Sequence, residues 1–152
     1  MQQDKIKTVI EEIFNRTDCS ISKCEFSDEN GMLWCMIDTP DSRFMIGRDG
    51  ETLRSLNHLV RKIIEKDLNE EEASNIFIDI NGYQKKRFDN LKTIAHMMAE
   101  RARYFKSNIE VDPMPAYERR IVHMFLEGHP DIKTESEGYG TNRRVVIKYV
   151  QN

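Results

Sequence analysis

The sequence predicts an α+β chain made of two small modules joined by a helix. Three observations point there. Apolar residues recur at helical spacing in some stretches and alternate with a period of two in others. A Gly-x-x-Gly step stands between a short helical run and a long one, and the charge changes sign near Asn81. Up to Asn81, ten Lys and Arg stand against seventeen Asp and Glu, a net of -7; from Gly82 onward thirteen stand against nine, a net of +4. The overall -3 at pH 7 thus conceals a basic C-terminal half, the side on which a polyanion is expected.

Ile6, Val9, Ile10, Ile13 and Phe14 recur every three to four residues, which predicts an amphipathic helix fading near Asn15 to Ser20. Two strand-like runs follow, Ile21 to Phe26 and Met32 to Ile37. Between them lies Asp28-Glu29-Asn30-Gly31, whose Asn-Gly step supplies the positive φ of a tight turn, so the pair reads as a β-hairpin. Pro40-Asp41-Ser42 stops the second strand, and a short helical turn from about Ser42 leads into Ile46-Gly47-Arg48-Asp49-Gly50. From Glu51 a long helix carries Leu53, Leu56, Leu59, Val60, Ile63 and Ile64 on one face, with Arg54, Asn57, Arg61 and Lys62 turned elsewhere. An acidic loop, Asn69 to Ala73, is expected before Ile76, Ile78 and Ile80 alternate as a third strand. A small α+β domain, residues 1–81, is complete at that point.

Gly82 opens a connecting helix, 82–107, with Phe88, Leu91, Ala95, Met98, Ala102 and Phe105 on one stripe and Lys85, Lys86, Arg87 and Lys92 crowded at its start. Residues 108–152 are read as the second domain. Ile109 to Val111 suits a short strand, and Asp112-Pro113-Met114-Pro115 sets up a further helix, since proline is tolerated in a first turn. That helix ends at Gly128-His129-Pro130. The last runs, Ile132 to Ser136 and Val145 to Val150, bracket a glycine-containing bend and read as paired strands.

Bulk composition narrows the function classes. With 152 residues, 39% of them hydrophobic and 32% charged, the chain has material for one good core or two small ones. No apolar run approaches the roughly 20 residues needed to span a bilayer. Met1 to Lys7 is too polar for a secretory signal, so a cytoplasmic location without membrane insertion is expected. Cys19, Cys24 and Cys35 are odd in number and lack C-x-x-C spacing, which suits buried thiols rather than a disulfide framework or a zinc site. His58, His96, His123 and His129 are scattered, so neither metal nor cofactor is expected. No nucleophile with its base and no metal constellation can be assembled, so no catalytic residue is assigned and the chain is read as a non-enzyme. Glu118 beside Arg119 and His123 has only proximity in sequence to support a nuclease drawing.

Two motifs carry the binding chemistry. Gly47 and Gly50, two residues apart between helices, let the backbone approach a ligand closely and turn amides toward it, an arrangement that suits phosphate. Arg48 is the candidate phosphate contact. Arg43 and Arg54 are read either as further backbone contacts or as solvated arginines, while Asp49 opposes a phosphate and brings the loop to zero net charge. In Glu118-Arg119-Arg120-Ile121-Val122-His123, Arg119 and His123 are four apart and share one helical face, where a guanidinium fork and an imidazole donor can meet one phosphate.

In its element order the Ile46-Gly47-Arg48-Asp49-Gly50 segment resembles the GXXG loop of a KH domain, in the type II arrangement of helix, β-hairpin, GXXG between two helices, and strand. The resemblance implies that this loop clamps the sugar-phosphate backbone of about four nucleotides beside a groove for unstacked bases. Ser136-Glu137-Gly138 followed by Asn142-Arg143-Arg144-Val145-Val146-Ile147 resembles the closing strands of the domain named for an R-x-x-x-H motif, which Arg119 and His123 match. That resemblance implies a small α/β module for single-stranded nucleic acid with Arg119, His123, Arg143 and Arg144 on its contact surface.

Together the two modules, joined through Asp79-Ile80-Asn81-Gly82-Tyr83-Gln84-Lys85-Lys86-Arg87, resemble the Jag (SpoIIIJ-associated) family over nearly the whole chain. Members often carry an N-terminal Jag domain and linker, for which this length leaves no room, so the chain reads as a short version or a fragment. The resemblance implies a bacterial RNA-binding regulator of post-transcriptional control, cell elongation or sporulation. Its implied partners are single-stranded RNA or single-stranded DNA, a second copy or a small stand-alone KH protein, and, indirectly, the membrane insertase. The alternative is a protein-interaction adaptor whose KH domain dimerises or binds a partner while the basic half holds RNA.

Overall fold

Helix α1 (Gln2–Arg16) buries Ile6, Ile10 and Phe14, one residue per turn along a single face, and packs Val9 and Ile13 beside them. The computed structural model describes residues 2–29 and 31–151. The chain divides between Lys85 and Lys86 into two compact units.

In the first unit, β1 (Lys23–Glu29) and β2 (Met32–Asp38) pair antiparallel, with Glu29 opposite Met32. The loop between them has two residues, of which Gly31 adopts φ +79°; Asn30, on which the expected turn also rests, lies outside the described residues. Strand β1 is displaced from the expected Ile21 to Phe26, because the tight turn carries the ladder through the polar Ser27, Asp28 and Glu29, which pair with Trp34, Leu33 and Met32. Strand β3 (Ile76–Ile80) joins β2 in parallel, giving the order β1-β2-β3. A parallel neighbour requires a crossover, and α2 (Ser42–Ile46), α3 (Glu51–Ile64) and α4 (Glu70–Ser74) supply it.

The expected acidic loop at Asn69 to Ala73 is replaced by α4. The Asn69 side chain accepts from the Glu72 amide at 2.8 Å, and the Glu72 carboxylate accepts from the Asn69 amide at 3.4 Å. This capping box, with three glutamates at the positive end of the helix, turns an acidic run into a helical turn.

Cys35, Ile37, Ile76, Ile78 and Ile80 form the sheet's contribution to a core completed by Leu53, Leu56, Val60 and Ile64 of α3 and by α1. The opposite face of β3 is buried as well. Phe77 stacks on Trp34 with ring centroids 5.1 Å apart. Asp79 is buried, and burial pushes its carboxyl above the usual range, although the amides of Gln84, Lys85 and Ile80 oppose the shift. Its Oδ1 accepts from the Gln84 amide at 2.8 Å and so caps the start of the next helix.

Asn57, expected to face away from the core, is instead buried against β3. Its carboxamide accepts from the Ile78 amide (2.8 Å) and donates to the Ile78 carbonyl (3.1 Å), as a neighbouring strand would, while Arg61 Nε donates to the Ile76 carbonyl at 2.9 Å. These two side chains close the outer edge of β3.

Helix α5 (Tyr83–Phe105) continues into the second unit, where Leu91, Ala95, Ala99 and Ala102 are buried. Phe105, expected on that stripe, is 63% exposed, because the helix ends there and Lys106 turns the chain at φ +49°. Strands β4 (Ile109–Glu110), β5 (Ile132–Glu137) and β6 (Arg144–Tyr149) form a second antiparallel sheet in the order β4-β6-β5. Helix α6 (Ala116–Leu126) starts after Pro115 and buries Ile121, Val122 and Leu126. Arg87 of α5 grips the buried Glu118 of α6 through two bonds, at 2.7 and 2.9 Å, and Arg103 grips Asp131 at 2.7 and 3.1 Å. Among the described residues no helix is long and apolar enough to cross a membrane.

Candidate nucleic-acid interface

The Gly47–Gly50 loop is built around backbone conformations that glycine permits. Gly47 lies at φ +74°, ψ -176° and Gly50 at φ +75°, ψ 14°. A Cβ on Gly47 would sit 2.8 Å from the Thr52 Cβ, and one on Gly50 would sit 2.9 Å from the Tyr83 ring. Between them Asp49 takes the left-handed conformation, φ 52°, so the four-residue loop doubles back tightly into α3. Within it, the Gly47 amide donates to the Arg43 carbonyl (3.2 Å) and the Gly50 amide to the Gly47 carbonyl (3.4 Å).

The basic residues expected around this loop take different positions. Arg48 is exposed at the tip, and its guanidinium has no partner among the described residues. Arg43, one turn earlier on α2, is exposed as well. Arg54 instead donates to the Asp49 carbonyl at 2.7 Å and thereby braces the loop from α3. The Asp49 side chain stays exposed beside Arg48.

In the second unit, the pair four apart on α6 is held from both sides. His123 Nδ1 lies 2.6 Å from the Thr134 hydroxyl and Nε2 lies 2.9 Å from the Ser136 hydroxyl, so both ring nitrogens are engaged by alternate residues of β5. Burial, and then the nearby Arg119 charge, push the imidazole below its usual value, which favours the neutral ring. Arg119 Nη1 donates to the Met114 carbonyl at 2.7 Å, and the Met114 amide donates to the Arg143 carbonyl at 3.3 Å. Arg143 Nη1 in turn donates to the Gly138 carbonyl at 2.9 Å, closing the bend between β5 and β6. Arg119 and the Arg143 backbone thus meet at Met114, while His123, whose ring feels the Arg119 charge, is tied to β5 at Thr134 and Ser136.

Arg144 stands apart from these residues. Register pairs Ser136 with Val145 and Glu137 with Arg144, so Arg144 is on the face opposite His123, where it meets Glu110 at 3.4 Å. Thr134 and Ser136, which orient His123, do not stand out in the sequence. Their only signal is that they alternate on one strand. Glu118 is buried and committed to the half-exposed Arg87, which removes its carboxylate from the exposed surface. The crowd of cations at the start of α5 is partly spent in the same way: Lys85 pairs with Glu29 and lies over the Trp34 ring, and Lys92 stands 6.0 Å from the Phe125 ring centroid.

Comparison with known proteins yields one domain match and several relatives. Residues 89–149 match the family model of the domain named for the R-x-x-x-H motif. The chain is 27% identical over 146 residues to the RNA-binding protein KhpB of Clostridium symbiosum, covering 95% of this chain and 65% of that protein. It is 29% identical to the RNA-binding protein KhpB of Bacillus subtilis (strain 168), covering 98% of this chain and 70% of the relative. With the protein of that name from Lactiplantibacillus plantarum the match is 30% over 72% of this chain but only 34% of the relative. The chain thus spans about two thirds of the length of the first two relatives and a smaller part of the third. Residues 89–149 carry an R-x-x-x-H domain, and the chain as a whole is similar to bacterial RNA-binding proteins named KhpB.

Proposed function

We propose that the chain binds single-stranded RNA, that its first unit is a type II KH domain, and that the protein is a cytoplasmic bacterial regulator acting after transcription rather than an enzyme. The observation that carries the reading is the exposed, unpartnered Arg48 on a loop whose conformation depends on Gly47 and Gly50, in a chain similar along its length to RNA-binding proteins. A phosphate that meets Arg48 gains a charge-assisted bond without displacing an existing protein partner. The order helix, hairpin, Gly-x-x-Gly turn, helix and parallel third strand supports the KH reading. In the second unit, Arg119 and Arg143 supply charge, and His123 serves mainly to lock helix to strand. Arg43 and Arg48 are the contacts in the first unit, and Arg54 acts by holding the loop. Single-stranded DNA is a competing ligand, since the phosphate contacts proposed here are common to both.

The test is fluorescence anisotropy with a labelled single-stranded RNA across a salt series, comparing the wild type with Arg48→Asp. Loss of one charge-assisted contact weakens binding by about tenfold or more, and wild-type affinity falls as salt rises. A folded Arg48→Asp protein with unchanged affinity sinks the role given to the loop.

A second reading has its own support in the exposed Phe44 (72%), Leu59 (48%) and Ile63 (38%) on the helices of the acidic first unit. Under it, this unit docks a second copy or another protein and the basic unit alone holds RNA. Light scattering on the eluting protein tests the self-docking form of this reading, which requires a dimer that survives dilution.

A further inference from the structure

Tyr139 occupies the bend between β5 and β6, and its side chain is 91% exposed. The backbone beneath it is well tied. The Asn142 amide donates to the Tyr139 carbonyl at 3.1 Å, and the Arg143 amide donates to the Gly140 carbonyl at 3.2 Å. Gly138 (φ +91°) and Gly140 (φ +57°) flank the tyrosine, and a Cβ at Gly138 would come within 3.0 Å of the Asn142 carbonyl oxygen. The ring therefore projects from a fixed turn and not from a slack loop. Its nearest cation by connectivity is Arg143, whose guanidinium holds the carbonyl of the residue just before it.

An isolated exposed aromatic needs no explanation. Here, however, the ring rises from a hydrogen-bonded turn whose Gly138 carbonyl is held by the Arg143 guanidinium, and the Arg143 backbone meets Met114, whose carbonyl takes Arg119. Aromatic faces beside cations are how proteins hold unpaired bases with little regard to sequence. Resting on the RNA-binding reading above, we propose that Tyr139 is a stacking platform for one unpaired base of a strand whose phosphate is held by Arg119 and Arg143. The site would accept any base, with purines favoured by their larger face.

The test uses the full chain and two fluorescein-labelled probes, decaadenylate and a ribose-phosphate decamer without bases, at low salt. Tyr139→Ala is expected to weaken binding to decaadenylate about tenfold, or about 1.4 kcal/mol, within the range for one stacked base. Its affinity for the abasic decamer should stay within about twofold of wild type, because only the base contact is lost. Tyr139→Trp should retain binding, and Tyr139→Leu should behave like alanine. Arg119→Glu should weaken both probes. Unchanged binding of decaadenylate by Tyr139→Ala, or equal loss on both probes, overturns the stacking proposal while leaving the RNA-binding reading intact. If wild type binds neither probe, both fall, and a protein contact becomes the better account of this tyrosine.

Discussion

His123 is held by the strand it faces, and that geometry bears on the role its spacing suggests. Four-residue spacing sets it beside Arg119 and suggests a switchable phosphate donor, but both its nitrogens are engaged by Thr134 and Ser136. An NMR titration should give His123 a value below its ordinary 6.5. Because the folded value is lowered, the stability it contributes is complete above the unfolded value. It is lost as pH falls through the folded value, so thermal stability should decline on acidification below about pH 6.5. RNA affinity should be flat between about pH 7 and about pH 8, where the ring stays neutral. A titration above the ordinary value, or affinity that drops across that interval, contradicts the assignment of a neutral, structural ring.

The glycine loop offers a second residue-level prediction. Gly47→Ala should cost about 2–3 kcal/mol in urea unfolding, because it places a side chain in a glycine backbone region and against Thr52. Gly50→Ala, in the left-handed helical region, should cost about 1 kcal/mol from backbone strain, plus whatever its contact with the Tyr83 ring adds. The glycines are legible because a backbone requirement is written in the residue type itself. Thr134 and Ser136 are not, since a hydroxyl on a strand gains its meaning only when the facing helix is known. Nor does the sequence separate Arg48, free at the tip, from Arg54, which braces the same turn.

Among the elements, periodicity identifies the long helices and most strands, and misses what depends on edges and ends. Strand β3 reads as half-exposed because Asp79 interrupts its isoleucines, yet both faces are buried. Asn57 reads as a surface residue on α3, yet it completes the edge of β3. Removing it leaves the Ile78 amide and carbonyl without those bonds, so Asn57→Ala should cost about 3 kcal/mol by chemical denaturation, near the cost of two unsatisfied buried groups. A loss below about 1 kcal/mol would mean that water replaces the carboxamide and the edge is not closed by it. The short α4 escapes notice for a related reason. Its capping box lies inside an acidic run whose charge suggests a loop, and a single helical turn has no periodicity to detect.

For the whole molecule, the α+β class and the charge split are legible, because core periodicity and net charge are sums over many residues. What the charge count overstates is the free basic surface: Arg87, Arg103, Lys85 and Lys148 are all consumed by acids within their own unit. The cations to which the proposed reading gives RNA contacts are Arg43 and Arg48 in the first unit and Arg119 and Arg143 in the second. The most direct test is a nitrogen-15 amide map of the full chain titrated with decauridylate. Shifts should concentrate at Gly47 to Gly50 in the first unit and at Met114, Arg119, Gly138 and Arg143 in the second, with the amides of α1 unmoved. Shifts confined to the second unit would remove RNA from the Gly47–Gly50 loop, and a spectrum unchanged at saturating decauridylate would contradict the central claim outright.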